Sequence, residues 1–264
     1  MFPGRSETIV ATVEARMRSS RLPGKVLLEL AGEPVLLFLV ERLRRSRYVD
    51  EVVVATTVHP DDDAIERTCM QKKVACFRGS EEDVLRRVLD AARTNRGQLI
   101  VEITGDCPFV DPAHVDEMIE MFYSGDYDYV SNMGNRPYPV GFEVQVFPTA
   151  VLEKVNELTQ NPADHEHVSL YIYTHPELFR VAHREAHDDM YHPDIEVTLD
   201  TGEDYRLLRD IAQELHPRNP HFSAGDVVRL LRQHPEWIER SRSGERKYAA
   251  DFLEERMRHE EPGK

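Results

Sequence analysis

Short apolar runs alternate with amphipathic stretches along the first half of the chain. Residues 8–13 (TIVATV), 51–56 (EVVVAT) and 99–104 (LIVEIT) are rich in β-branched side chains and almost unbroken by polar positions. Strands buried on both faces have that composition. A shorter strand is predicted over 74–77. Between them, apolar residues recur every three or four positions over 33–47, 63–71 and 80–94, which predicts helices. Pro34 falls in the first turn of the first. Ser80-x-x-Asp83 reads as a capping box opening the third. This alternation predicts an α/β fold, a three-layer Rossmann-like arrangement whose mostly parallel central sheet is covered on both faces.

The pattern continues with a helix over 112–123, a strand over 128–131 and an alternating strand over 142–147 (FEVQVF). Helices follow over 149–158 and 165–174, the latter with Val168, Tyr171 and Ile172 on one face. A strand over 196–199 ends at Asp200. Thr201-x-x-Asp204 is a second capping box, opening a helix that runs to Leu215. A last ordered helix is predicted over 223–232. From 240 to 264 both charge signs are dense and apolar residues sparse, which reads as an exposed helix or a frayed tail. The expected organisation is one domain over 1–239 followed by that tail.

Composition narrows the function. The 264 residues carry 33 Lys and Arg against 48 Asp and Glu, a net charge of −15. That balance argues against nucleic-acid binding, whose affinity comes from neutralising phosphates. No apolar run approaches the ~20 residues of a membrane helix, and the first residues lack the apolar stretch of a secretory leader. Cys69, Cys76 and Cys107 form no CxxC and no disulfide framework. The reading is a cytoplasmic protein.

A local basic segment stands against the acidic background. Arg16, Arg18, Arg21 and Lys25 fall within ten residues, directly after the first strand. Ligands of open α/β sheets bind beyond the carboxyl ends of strands. Four cations gathered there would repel one another unless an anion sits among them, and a triphosphate fits. The bland alternative is a solvated basic loop. It is neither a Walker A sequence nor GxGxxG. Asp106 and Asp200 each follow a predicted strand. On neighbouring strands they would hold one Mg²⁺, which favours one or two carboxylates plus phosphate oxygens. Taken singly, Asp106 reads equally as an Asx turn before Cys107-Pro108, and Asp200 as a helix cap. Arg86 and Arg87 read either as pocket-lining or as surface residues. His165-x-His167 and His183-x3-His187 have metal-ligand spacing but no evident third ligand.

Five ordered stretches then carry a family resemblance: Arg16 to Pro34, Asp83-Val84-Leu85-Arg86-Arg87, Thr104-Gly105-Asp106-Cys107-Pro108-Phe109-Val110-Asp111-Pro112, Glu166-His167-Val168 and Thr198-Leu199-Asp200-Thr201-Gly202-Glu203-Asp204. Across roughly residues 8–215 the chain resembles the spore-coat-polysaccharide type cytidylyltransferases, within the superfamily that activates acylneuraminate and 3-deoxy-manno-octulosonate. The resemblance implies a nucleotidyltransferase fold of the glycosyltransferase A type. It divides the domain into a nucleotide half over about 1–125 and a sugar and dimerisation half over about 126–239. It implies transfer of CMP from CTP to an acidic sugar, with Mg²⁺ as cofactor and pyrophosphate released, for surface polysaccharide or glycan synthesis.

By motif position, Arg16, Lys25 and Asp106 would be catalytic. Ala15, Arg16, Arg18, Arg21, Lys25, Gly79, Ser80, Asp83, Thr104 and Gly105 would bind nucleotide. Glu143, Gln145, Glu166 and His167 would face the sugar, and Asp106 and Asp200 would hold the metal. Ser80 and Asp83 equally serve as the capping box noted above. Glu14, Glu143 and Gln145 depart from the family pattern. A homodimer is expected, through 140–175, with Val144, Val146, Phe147, Tyr171 and Tyr173 as an apolar patch. Three alternatives stand beside this reading: a sugar-phosphate nucleotidyltransferase using another nucleotide, a glycosyltransferase using Asp126-Tyr127-Asp128, and a non-catalytic nucleotide-binding homologue.

Overall fold

The computed structural model describes residues 6–241 and 249–260. Strands β1 (Ile9–Glu14), β4 (Glu51–Thr57), β5 (Ala75–Gly79) and β6 (Leu99–Thr104) lie parallel, joined to β8 (Gln145–Pro148), β7 (Tyr129–Ser131) and β9 (Val181–His183) in one seven-stranded sheet. Its order is β5-β4-β1-β6-β8-β7-β9. Only β8 runs against the others, pairing antiparallel with β6 and β7. A two-residue ribbon, β2 (Glu29–Leu30) with β3 (Glu33–Pro34), stands apart.

Helices cover both faces, so the strands need apolar side chains on both. Ile9, Ala11 and Val13 of β1 pack with Val52, Val54, Val101 and Ile103 against α1 (Val35–Leu43), α2 (Asp63–Gln71) and α4 (Pro112–Ser124). On the opposite face, Val10, Val53 and Ala55 meet α3 (Val84–Thr94), whose Leu85, Val88 and Leu89 continue toward Ile100, Tyr129, Phe147 and α5 (Thr149–Leu158). A further apolar cluster joins Phe38, Phe109 and Phe222 to α8 (Gly202–Leu215) and α9 (Ala224–Gln233). Burial of such side chains contributes about 1.5–3 kcal/mol each.

Several elements differ from the sequence expectation, each for a local reason. The helix predicted from 33 starts at Val35, because Glu33 and Pro34 close the ribbon with β2 and Pro34 becomes the N-cap. The helix predicted from 80 starts at Val84. Asp83 caps it by accepting the Arg86 N–H at 2.8 Å, while Ser80 Oγ accepts the Asp83 N–H at 3.0 Å. Residues 142–144 leave the ladder because the Asn132 side chain takes the Phe142 carbonyl and the Val144 N–H. The helix predicted over 165–174 is two, α6 (Pro162–Glu166) and α7 (Leu170–Thr174), parted where Val168 adopts a φ of 26°. Residues 196–199 are extended but make only one bridge, Val140 to Glu196. Beyond α9 lie α10 (Pro235–Ser241) and α11 (Ala249–Glu260), so the helix over 223–232 is not the last. Residues 242–248 and 261–264 of the expected tail lie outside the described residues.

Val144, Val146 and Phe147 are fully buried in the chain's own core and offer no outer face. No helix among the described residues is long and apolar enough to cross a membrane.

Candidate active site

The carboxyl ends of β1 and β6 open into a cleft of about 300 Å³. Ala15, Arg16, Arg21, Lys25, Thr104, Gly105, Asp106, Glu166, His167 and Asp200, all named from the sequence, line it. The two strand ends are drawn together by the Gly105 N–H, which donates to the Glu14 carbonyl at 2.9 Å. A Cβ on Gly105 would lie 2.4 Å from that carbonyl oxygen, so only glycine fits there.

The basic loop is shaped by its own backbone and by a residue the sequence reading missed. Gly24 takes φ 73°, and its N–H donates to the Met17 carbonyl at 2.8 Å. The Met17 N–H in turn donates to Asp62, a 1% exposed carboxylate that also accepts from the Thr57 hydroxyl. Asp62 thus ties the loop to the end of β4. Its one visible signal in the sequence is its place in His59-Pro60-Asp61-Asp62, a short turn after a strand.

Lys25 Nζ lies 2.8 Å from Asp106 Oδ2 and 2.9 Å from Asp200 Oδ1, and Arg21 adds a second contact to Asp200 at 2.9 Å. Asp200 reaches Asp106 without a regular strand, because the Leu199 N–H donates to the Asp106 carbonyl at 2.8 Å. Helix capping falls instead to the Thr201–Asp204 box, in which the Asp204 carboxylate also takes the N–H groups of Asp200 and Thr201. The Asp200 carboxylate is therefore left to face the cleft. Burial alone would push Lys25 down, but the charges and hydrogen bonds of Asp106 and Asp200 outweigh it and hold its pKa above the usual lysine value. Burial would push Asp106 up. The Lys25 ammonium, with a hydrogen bond from Thr104, overcomes it and leaves the carboxyl below its ordinary value.

Two carboxylates sharing one cation offer an all-oxygen donor set. Among the described residues no three His, Cys, Asp or Glu side chains cluster as metal ligands. The pair therefore fits a hard cation whose shell is completed by phosphate oxygens rather than a cage made by protein alone. The histidine spacings are otherwise occupied: His165 meets Asp83 and the Thr159 carbonyl, His183 the Ser131 hydroxyl, and His187 the Arg184 guanidinium.

Beside the cleft, Glu14 and the neighbouring Glu102 carry different chemistry. Register pairs Thr12 with Glu102 and Glu14 with Thr104, so Glu14 and Glu102 stand diagonally on the face covered by α3. Burial raises the Glu14 carboxyl well above its ordinary value, and the neighbouring Glu102 charge adds to this against the pull of Arg87. Burial takes Glu102 up to about 8. Arg87 lines the cleft and donates to the carbonyls of Ala55 and Ser80, whereas Arg86 turns to the surface and pairs with Asp90. That resolves the two arginines. Arg87 belongs with Val84 and Ala91 on the edge of the buried stripe of α3.

Other named residues lie outside the cleft lining. Arg18 is 55% exposed and pairs with Glu81 at 3.5 Å. Ser80 and Asp83 are engaged at the start of α3, and Gly79 ends β5. Gln145 Oε1 accepts from the Tyr129 and Ser169 hydroxyls at 2.6 and 2.5 Å. Glu143 accepts the Gly141 N–H at 2.6 Å, and burial lifts its carboxyl to about 7. Asp126 and Asp128 both pair with Arg180 and do not line the cleft.

A mostly parallel sheet with a basic loop after its first strand and paired carboxylates beside it is the arrangement on which the family assignment falls. The cytidylyltransferase family model matches residues 10–225, and the chain belongs to that family. It is a nucleotidyltransferase of the cytidylyl class. It is 36% identical over 235 residues to the spore coat polysaccharide biosynthesis protein SpsF of Bacillus subtilis (strain 168), across 86% of this chain and 95% of that protein. The 3-deoxy-manno-octulosonate cytidylyltransferase of Geobacter sulfurreducens is 37% identical over 113 residues, 42% of this chain and 44% of its own. The solved structure of a cytidylyltransferase from Leptospira borgpetersenii matches with a TM-score of 0.81 at 29% identity, covering 91% of this chain and 98% of that one.

Proposed function

We propose that the protein transfers CMP from CTP to the hydroxyl of an acidic sugar, releasing pyrophosphate, in the synthesis of a surface polysaccharide or glycan. The observation that carries this reading is Lys25 Nζ held between Asp106 and Asp200, beside Arg16 and Arg21, at the mouth of β1 and β6. The names of the Bacillus and Geobacter relatives support the acceptor class and the pathway.

Arg16, Arg21 and Lys25 bind the triphosphate, as planar forks and a mobile point charge. Asp106 and Asp200 would hold Mg²⁺, which would supply charge neutralisation at the α-phosphate and the departing pyrophosphate. Lys25, paired with both carboxylates, would carry its ammonium to the triphosphate on its long stem. The Gly105 backbone and Ala15 let the nucleotide approach closely. Glu166 and His167, which also line the cleft, face the acceptor. Transfer at phosphorus asks the protein mainly for positioning and charge stabilisation, and no covalent nucleophile is needed.

The test is pyrophosphate release with Mg²⁺ from CTP, UTP, GTP and ATP in turn, across ulosonic and sialic acids and across sugar 1-phosphates. Turnover confined to CTP and one acid is expected. Preference for another nucleotide, or for a sugar phosphate, rejects the reading.

A further inference from the structure

Helix α11 packs on α6, far from it in sequence, and it does so beside the cleft. Phe252 stacks on the His167 ring with centroids 3.9 Å apart and planes at 27°. His167 itself lines the cleft. It closes α6 by donating its N–H to the Ala163 carbonyl, and the next residue, Val168, is forced to φ 26°, a left-handed conformation that β-branched residues resist. Strain of this kind persists only where the surroundings over-determine it, and it gathers at functional sites.

A second contact makes the docking specific. Asp164 of α6 is fully buried, and its ion pair comes from Arg256 of α11, Nε to Oδ1 at 2.9 Å. The other carboxylate oxygen accepts from the Thr159 hydroxyl at 2.6 Å. Asn161 Nδ2 donates to the Arg256 carbonyl at 3.0 Å, and the guanidinium lies 5.6 Å from the centre of the Tyr171 ring. A buried carboxylate is costly without a partner, so α6 has the composition of a surface built to receive α11. Phe252 and Arg256, four apart, share one helix face, while Leu253 and Met257 are exposed on another.

We infer that α11 is part of the active-site wall: Phe252 and Arg256 are positioning residues that fix His167 at the cleft and through it set the affinity for the acidic acceptor. This rests on the proposed reaction, in which His167 stands on the acceptor side. The full-length chain is compared with Phe252→Ala, Phe252→Tyr and Arg256→Met, measuring pyrophosphate release against varied acid and varied CTP. Phe252→Ala and Arg256→Met raise KM for the acid about tenfold with KM for CTP and kcat within about threefold, and Phe252→Tyr restores the parent KM. Equal changes in both KM values, no change in either, or failure of tyrosine to restore overturns the inference. The ring-proton resonances of His167 are recorded in the same variants. If the parent turns over no acid, the proposed acceptor class fails, and the resonances decide the positioning. A shift in Phe252→Ala that is absent in Phe252→Tyr upholds it, and no shift overturns it.

Discussion

Two pairs of carboxyl groups stand at one end of the sheet in different surroundings. Asp106 and Asp200 lie beyond the strand ends, where Lys25 and Arg21 reach them, and Asp106 is held below the ordinary carboxylate range. Glu14 closes β1 and Glu102 lies two residues before the end of β6, both on the face under α3, and burial raises both. Arg87, whose charge pulls against the rise at Glu14, spends its donors on backbone carbonyls. The difference teaches that partners decide the carboxyl groups' state here: Lys25 and Arg21 reach the first pair, while the second faces burial under α3. The first pair is suited to a metal and a triphosphate. The second forms a floor that prefers to keep its protons.

The largest effects are expected where the first pair is broken. Asp106→Asn and Lys25→Ala should each lower kcat/KM for CTP by about 100-fold or more, the scale of losing one preorganised charge in a dry site. Pyrophosphate assays check this, and losses under about threefold would remove the two residues from the reaction.

The second pair should show in stability. The folded pKa of Glu102 is raised to about 8, against about 4.3 for an unfolded glutamate. The native state therefore binds a proton more tightly than the unfolded chain. The stability this contributes is complete below about pH 4 and is lost as pH rises toward 8. Glu102→Gln removes the penalty, so its melting temperature should exceed the parent's by about 5 °C at pH 9 and differ by under about 1 °C at pH 4. Thermal unfolding across that window is the check, and a gain at acid pH instead would reverse the assignment.

The smallest effect belongs to the rim. Arg18→Ala, whose side chain is outward and paired with Glu81, should change KM for CTP by less than about twofold, whereas Arg21→Ala should raise it about tenfold. Equal effects from the two arginines would erase the distinction between cleft and rim.

Much of this was legible in the sequence where local chemistry decides structure. The β-branched runs became β1, β4 and β6, and the loop from Arg16 to Lys25 sits at their carboxyl ends as its placement predicted. Thr201-x-x-Asp204 forms the capping box as read, and it frees Asp200 for the cleft. What was hidden depends on contacts distant in sequence. Asp62 follows His59-Pro60-Asp61 after a strand, and no local pattern there discloses its bond to Met17. Gln145 sits in the segment read as the sugar pocket, yet the Tyr129 and Ser169 hydroxyls engage it in the interior. Phe252 and Arg256 looked like members of a polar tail because no local pattern discloses a buried Asp164 waiting about ninety residues earlier.

The central proposal is that Asp106 and Asp200, which Lys25 bridges, would hold Mg²⁺ for the triphosphate of CTP. CTP binding measured by calorimetry, with and without Mg²⁺, in the parent, Asp106→Asn and Lys25→Ala tests it most directly. The account predicts that Mg²⁺ tightens CTP binding about tenfold or more in the parent, that Asp106→Asn abolishes the enhancement while retaining metal-free binding, and that Lys25→Ala weakens binding but keeps the enhancement. An undiminished Mg²⁺ enhancement in Asp106→Asn would contradict it.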